Sequence, residues 1–299
     1  MNSGPQAQAV LDGDGRDARP VVPPSAELAP VSVVVPCFRC AATIDDAVAS
    51  IAAQTLRPAE VLLVEDASGD DTLDALHRVA AAYGSDWIKV IALPANRGPS
   101  HARNTGWQQA RHPYIAFLDA DDSWGPRKLE LQMAALAADP DIALIAHQML
   151  VRPRGTELPA PRAPVDVQIV GRGTLLLRNP FPTASVVLRR DLPFRFDEDF
   201  RRSEDYLLWS QIVFSGYRCA KIDQVLAIWN RRENGAVGLS DDFDAIHRGR
   251  RDLRRKLVRQ GLLRKHEFVF ASTVGAVNRM RRELLRGLRR YRSRRRPRP

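Results

Sequence analysis

The sequence is short of cysteine, of acids near its C-terminus and of long apolar runs, and each shortage excludes something. Three cysteines in 299 residues (Cys37, Cys40 and Cys219) cannot build a disulfide framework. Cys37 and Cys40 form a C-x-x-C pair, but only Cys219 could join them, one ligand short of a zinc site, so they receive no metal or redox role. No apolar run approaches ~18 residues, which excludes an ordinary membrane-spanning helix. The opening MNSGPQAQAVLDGDGRDARP has neither the basic patch nor the apolar stretch of a secretory signal. Residues 1–30 carry five prolines and no periodic apolar pattern, and are expected to be a disordered leader.

What remains is globular: 44% hydrophobic and 27% charged residues. The charge is uneven. From Ile246 to Pro299 there are 18 Arg and 2 Lys against 3 acids, a net +17; with +10 overall, the rest of the chain carries −7. A mildly acidic body joined to a strongly basic segment points to a polyanionic partner for that segment, either lipid or nucleic acid.

Apolar β-branched runs mark strands. VSVVVP from Val31 has the pattern of a strand buried on both faces, EVLLVED (Glu60 to Asp66) reads as a second buried strand, and WIKVIAL (Trp87 to Leu93) and YIAFLD (Tyr114 to Asp119) read as a third and a fourth strand. Helical spacing separates them: Ile44, Val48, Ile51 and Ala52, then Leu73, Leu76, Val79 and Tyr83, then a short helix in NRGPSHARNTGWQQA. Such alternation predicts βαβ units, an α/β fold on a mostly parallel sheet. Ligands bind such sheets beyond the carboxyl ends of the strands. Asp66, Asn96 to Gly98 and the acids Asp119, Asp121 and Asp122 each follow a strand, so they should converge on one edge. Beyond Asp141 the pattern loosens: a strand at DIALIAHQMLV, a Pro-rich loop, a strand at SVVLRR, a helix at SEDYLLWSQIVFSG and a strand at AKIDQVLAIWNRR.

These segments resemble, in order, the family-2 glycosyltransferases, which have the A-type glycosyltransferase fold and invert the anomeric centre. VSVVVPCF is similar to the family's first strand, and AQTLRPAEVLLVEDASGDDT to its nucleotide-binding turn. NRGPSHARNTGW resembles the N-x-G-x-x-x-A-R-N-x-G signature, FLDADDSWGPRKLE the D-x-D segment, and SEDYLLW the Glu-Asp motif on the acceptor side. The Q-x-x-R-W signature of processive synthases is missing, which favours transfer of single sugars. Many relatives carry a His in the loop after the last strand; here WNRRENGAVGLS places Arg232 nearest that position, where an arginine can neutralise a diphosphate.

The resemblance implies a metal-dependent transfer from a nucleotide-sugar, with a UDP-sugar expected, to a hydroxyl of a glycan or lipid-linked saccharide. Asp119 and Asp121 can share one Mn²⁺ or Mg²⁺, with Asp121 as the direct ligand; the bland alternative is that this cluster caps the next helix. Asp66 is implied to contact the nucleotide, and is otherwise a turn residue. Pro36 and Phe38 could wall the base, although Phe38 could equally be core. Gly98 would allow close backbone approach, Arg103 would pair with phosphate, and Asn104 is a weaker donor-site candidate. Asp205 is the implied general base, with Glu204 assisting it or the acceptor; the bland reading is a helix-start acid pair. Trp209 is acceptor wall or core, and Thr183 and Ser185 are candidates for the acceptor pocket. Two other readings share these residues: a non-catalytic nucleotide-sugar-binding or glycan-binding module of the same fold, and a nucleotidyltransferase.

The resulting domain plan is a leader (1–30), a nucleotide-binding half (31–125), an acceptor half (126–240) and a basic helical tail (241–299). In the tail, Phe270, Val274, Val277, Leu284 and Leu288 fall at helical spacing among arginines, as in an interfacial amphipathic helix. The expectation is a cytoplasmic enzyme, peripheral on the inner face of an anionic membrane, with nucleic acid disfavoured. Every candidate catalytic residue precedes Ser240, so removal of 246–299 is expected to spare transfer to a soluble acceptor.

Overall fold

Alternation within the apolar runs decides the layers. The computed structural model describes residues 27–294, apart from 154, 155, 157, 163, 164, 201 and 232–242. The leader as far as residue 26, and Arg232, lie outside the described residues. The strands are β1 (Ala29–Cys37), β2 (Pro58–Glu65), β3 (Ile88–Ala92), β4 (Tyr114–Phe117), β5 (Ser123–Trp124), β6 (Ile142–Pro153), β7 (Val167–Ile169), β8 (Val187–Arg189) and β9 (Arg218–Arg231). The helices are α1 (Ile44–Ala52), α2 (Thr72–Tyr83), α3 (Pro99–Gln109), α4 (Lys128–Ala138), α5 (Arg172–Leu177), α6 (Glu204–Phe214), α7 (Phe243–Arg259) and α8 (Lys265–Arg294), with a 3₁₀ turn at Thr183–Ser185.

Successive strand residues face opposite ways. Val33, Val35, Val61 and Leu63 enter one core, which α1, α2 and α4 cover; Val34, Leu62 and Val64 enter the other, beneath α3, α6 and α7. A three-layer α/β/α molecule follows. The sheet has nine strands in the order β3-β2-β1-β4-β8-β6-β9-β5, with β7 also paired to β9. Its β3-β2-β1-β4 part is wholly parallel, whereas the remainder is mixed, because β8 runs antiparallel to both β4 and β6. Helix α3 lies close on β1: a Cβ added at Gly106 would overlap the Val34 side chain.

The basic C-terminal segment is two helices with different surroundings. Leu253 and Leu257 of α7 are 2% and 1% exposed and belong to the core beside Trp209 and Ile212. Lys256 pairs with Asp197, and a Cβ at Gly249 would lie 3.1 Å from the Arg202 carbonyl oxygen. Helix α7 is therefore built into the body, and the expectation that 246–299 can be removed without harm changes. Truncation at Ser240 should yield unfolded or aggregated protein. Leu253→Ala should lower stability by about 2–5 kcal/mol, the usual cost of a buried Leu-to-Ala change, read from denaturant unfolding.

Candidate active site

The parallel strands end in register, with Cys37 opposite Glu65 and Glu65 opposite Ala92. The segments that follow them are therefore neighbours. Asp66 leaves β2 buried, at 2% exposure. Its carboxylate accepts the backbone N–H groups of Arg97 (2.9 Å) and Gly98 (2.8 Å), and the Asn96 amide donates to the Asp66 carbonyl oxygen (2.9 Å). Asp66 thus ties the second strand's exit to the loop before α3. Gly98 is the N-cap of that helix at φ 89°, with nothing within 4 Å of an added Cβ. Its requirement here is the left-handed backbone, rather than lack of room. Pro36 is half-buried at the end of β1; Phe38, just beyond, is 45% exposed with the Arg39 guanidinium 5.2 Å from its ring. Phe38 is not core and remains available as a flat surface at this edge.

Arg103, on α3, is 5% exposed. One arm of its guanidinium donates to Asp119 (2.7 Å) and another to Glu204 (3.2 Å). Burial opposes its charge, but Asp119 and then Glu204 outweigh burial and hold its pKa above the ordinary arginine value. The side chain expected to meet phosphate is committed to two carboxylates 85 residues apart in sequence, one on each half of the site. Asn104 is committed as well: its amide brackets the backbone of Phe196, donating to its carbonyl oxygen (2.8 Å) and accepting from its N–H (3.0 Å). We expect Arg103→Ala to cost about 3 kcal/mol in urea unfolding, because removing one partner of a buried pair leaves the others uncompensated.

Three acids cluster after β4. Asp119 is partly exposed and Asp121 half-buried. Asp122 is 4% exposed and accepts the Asn230 backbone N–H (3.1 Å), while the Asn230 amide donates to the Asp121 carbonyl oxygen (2.9 Å). Burial first, then the Asp119 and Asp121 carboxylates, push the Asp122 carboxyl up to about 9. The cluster does not cap α4, whose N-cap is Arg127 with no side-chain cap bond. Crowded carboxylates with all-oxygen donors suit a hard cation. No group of three or more His, Cys, Asp or Glu forms a complete cage among the described residues. Mg²⁺ is usually held by one or two carboxylates and completed by substrate phosphate oxygens and water. Asp119 and Asp121 are the residues that would hold it.

On the other side of Arg103, α6 begins at Glu204 after a left-handed Ser203 (φ 62°). Asp205 is half-buried, accepting the Asn179 amide at Oδ2 (2.9 Å) and the Tyr206 N–H at Oδ1 (2.6 Å). Burial, then the Glu204 charge, raise its carboxyl to about 7. Thr183 is half-buried, whereas Ser185 is fully buried with its hydroxyl donating to the Pro182 carbonyl oxygen (2.7 Å). Trp209 is also fully buried, its ring 5.7 Å from Phe196 and perpendicular to it within the core. Ser185 and Trp209 therefore line no surface; both turn inward, because the 3₁₀ turn and the helix that carry them are covered on that side. Sequence reasoning missed Asn179 and Asn230. Asn179 lies in a segment without periodicity, where the Asn-Pro pair at 179–180 signals only a turn, and Asn230 stands near the end of β9, where nothing in the strand pattern marks its side chain.

The glycosyl transferase family 2 profile matches residues 32–197. Succinoglycan biosynthesis protein ExoO of Rhizobium meliloti is 30% identical over 259 residues, covering 81% of this chain and 73% of that protein. A UDP-Glc:alpha-D-GlcNAc-diphosphoundecaprenol beta-1,3-glucosyltransferase of Escherichia coli, WfgD, is 28% identical over 185 residues, 61% of this chain and 69% of that one. Among solved structures, the fold is similar to the mannosyltransferase PcManGT of Pyrobaculum calidifontis, in complex with GDP-Man and Mn²⁺ (TM-score 0.57, 22% identity, 80% of this chain and 68% of that one).

Proposed function

The chain belongs to glycosyl transferase family 2, and from that premise we propose that it transfers single sugars from a nucleotide-sugar, with inversion, to a hydroxyl of a glycan or lipid-linked saccharide. The observation that carries this reading is the buried Arg103, which joins Asp119 of the D-x-D acids to Glu204, the neighbour of Asp205. One cation thereby holds the donor edge and the proton acceptor in a single unit.

In the proposed reaction the acceptor oxygen bonds to the anomeric carbon as the bond to the diphosphate breaks. The nucleoside diphosphate leaves with the electron pair, and Asp205 takes the hydroxyl proton. A carboxyl near pH 7 suits this role, since a general base works best with its pKa near the operating pH. Asn179 and the Tyr206 N–H fix both oxygens of that carboxylate, so its direction is set before the acceptor arrives. Pro36 and Phe38 border the base, Asp66 and Gly98 shape the loop that meets the donor, and Asp66 retains lone pairs for the nucleotide itself. Arg232 is the proposed counter-charge for the diphosphate, and Thr183 an acceptor contact. A divalent cation at Asp119 and Asp121 would supply charge neutralisation for the departing diphosphate. The Mn²⁺ of PcManGT supports that assignment. The UDP-Glc of WfgD supports a uridine donor, and its diphosphoundecaprenol acceptor supports a lipid-linked acceptor.

The leaving product tests the reading. Incubation with Mn²⁺ and a panel of UDP- and GDP-sugars should release a nucleoside diphosphate and give a β-configured product from an α-linked donor. Pyrophosphate release would instead mark a nucleotidyltransferase, and binding without turnover on any acceptor would mark a sugar-nucleotide receptor.

A further inference from the structure

Helix α8 has two faces, and the body covers only one. On the covered side Glu267 is clasped by the Arg172 guanidinium (2.7 and 2.6 Å), Phe268 packs on the core and Ala271 is 1% exposed. These contacts fix the rotation of the helix. On the other side Val269, Phe270, Val277 and Met280 are 61%, 54%, 53% and 60% exposed. At 3.6 residues per turn these four fall within an arc of about 100°. Of the other exposed large hydrophobic residues of the described chain (Leu28, Phe38, Val151, Ile169, Leu177 and Trp229), Val151 and Trp229 are neighbours in register on β6 and β9, so the four residues on α8 form the larger bare apolar group among the described residues.

The sequence continues the same stripe through Leu284 and Leu288, and from Arg279 to Pro299 sets eleven arginines against the single acid Glu283. We propose that this outer face of α8 docks on an anionic lipid bilayer, its apolar stripe entering the headgroup–acyl boundary and its arginines pairing with lipid phosphates. The occupant follows from charge and shape together. A second copy of the helix would bring like charge against like charge. Nucleic acid would engage the arginines and leave the stripe in water. An anionic bilayer accommodates both at once, through apolar burial and through attraction of each basic side chain near its surface. Because α8 is clasped by Arg172 and α7 is built into the body, docking would hold the whole enzyme at the membrane in one orientation. The inference stands apart from the transfer reading: vesicle binding is measured without substrate, and transfer to a soluble acceptor without vesicles.

The test is cosedimentation of the full chain with phosphatidylglycerol–phosphatidylethanolamine vesicles and with phosphatidylcholine vesicles. Binding is expected to the anionic vesicles alone, and to weaken as salt approaches ~1 M, where charge is screened within ~3 Å. Val277→Glu with Met280→Glu should lower partitioning about tenfold or more, with thermal midpoint and soluble-acceptor transfer unchanged. Phe270→Ser, a milder change at an exposed position, should lower it in the same direction. The proposal is overturned if both variants bind vesicles as the parent does. It is equally overturned if the parent prefers duplex or single-stranded nucleic acid to anionic vesicles at physiological salt, or if the Glu substitutions dissociate a lipid-free dimer.

Discussion

Asp205→Asn is expected to lower kcat by about 10²–10⁴ while leaving donor affinity nearly intact, because it removes a proton acceptor without changing shape. The pH profile carries the sharper signature. Asp205 acts only when ionised, and its carboxyl is raised to about 7 by burial and then by Glu204. Below that value the protonated, inactive form dominates, so the rate of the parent enzyme should climb with pH and level off above about 7. Two neighbours should move this limb in opposite directions. Asn179→Ala removes a hydrogen bond that favours the ionised form, which raises the pKa and shifts the limb to higher pH. Glu204→Gln removes a repelling charge, which lowers the pKa and shifts the limb to lower pH. If Asp205→Asn lost donor binding and kept its kcat, the residue would belong to the donor site. If neither neighbour moved the limb, some other group would be the base.

Asp121→Ala, or chelation of the parent enzyme with EDTA, should abolish most turnover. Charge stabilisation of a departing diphosphate by a bound cation contributes several kcal/mol, and each ~1.4 kcal/mol is a factor of ten in rate. A loss of about 10²–10³ is therefore expected, with the variant still folded by its thermal midpoint. Donor binding gives a second readout: Mn²⁺ should tighten the parent's affinity for the nucleoside diphosphate and should leave that of Asp121→Ala almost unchanged. Full turnover in EDTA, or Mn²⁺-dependent nucleotide binding by the variant, would remove the cation from this site. Burial and then the Asp119 and Asp121 carboxylates push Asp122 up to about 9, and that local negative charge is what a cation at this cluster would offset.

The edge where the strand ends gather was legible in the sequence because local rules govern it. Unbroken β-branched runs specify strands buried on both faces, and a parallel sheet brings whatever follows each strand to one edge. Asp66, Gly98 and the acids after β4 were therefore assigned to one neighbourhood without knowledge of any contact. Membership of the family was legible for the same reason, since its motifs are short, ordered and tied to those strand ends. Roles that depend on which way a side chain turns were not legible. Arg103 and Asn104 stand in a motif that suggests ligand contact, yet the fold spends them on Asp119, Glu204 and the backbone of Phe196, partners distant in sequence. Trp209 and Ser185 turn into the core, and Asn179 reaches Asp205, 26 residues away in sequence. The basic C-terminal segment divides along the same line. Its composition announced charge and helical spacing, but only packing decided that Leu253 and Leu257 join the core while Val269, Phe270, Val277 and Met280 stay bare. Periodicity defines a face by spacing along one helix; which face meets the body depends on where neighbouring elements stand, and only tertiary structure fixes that.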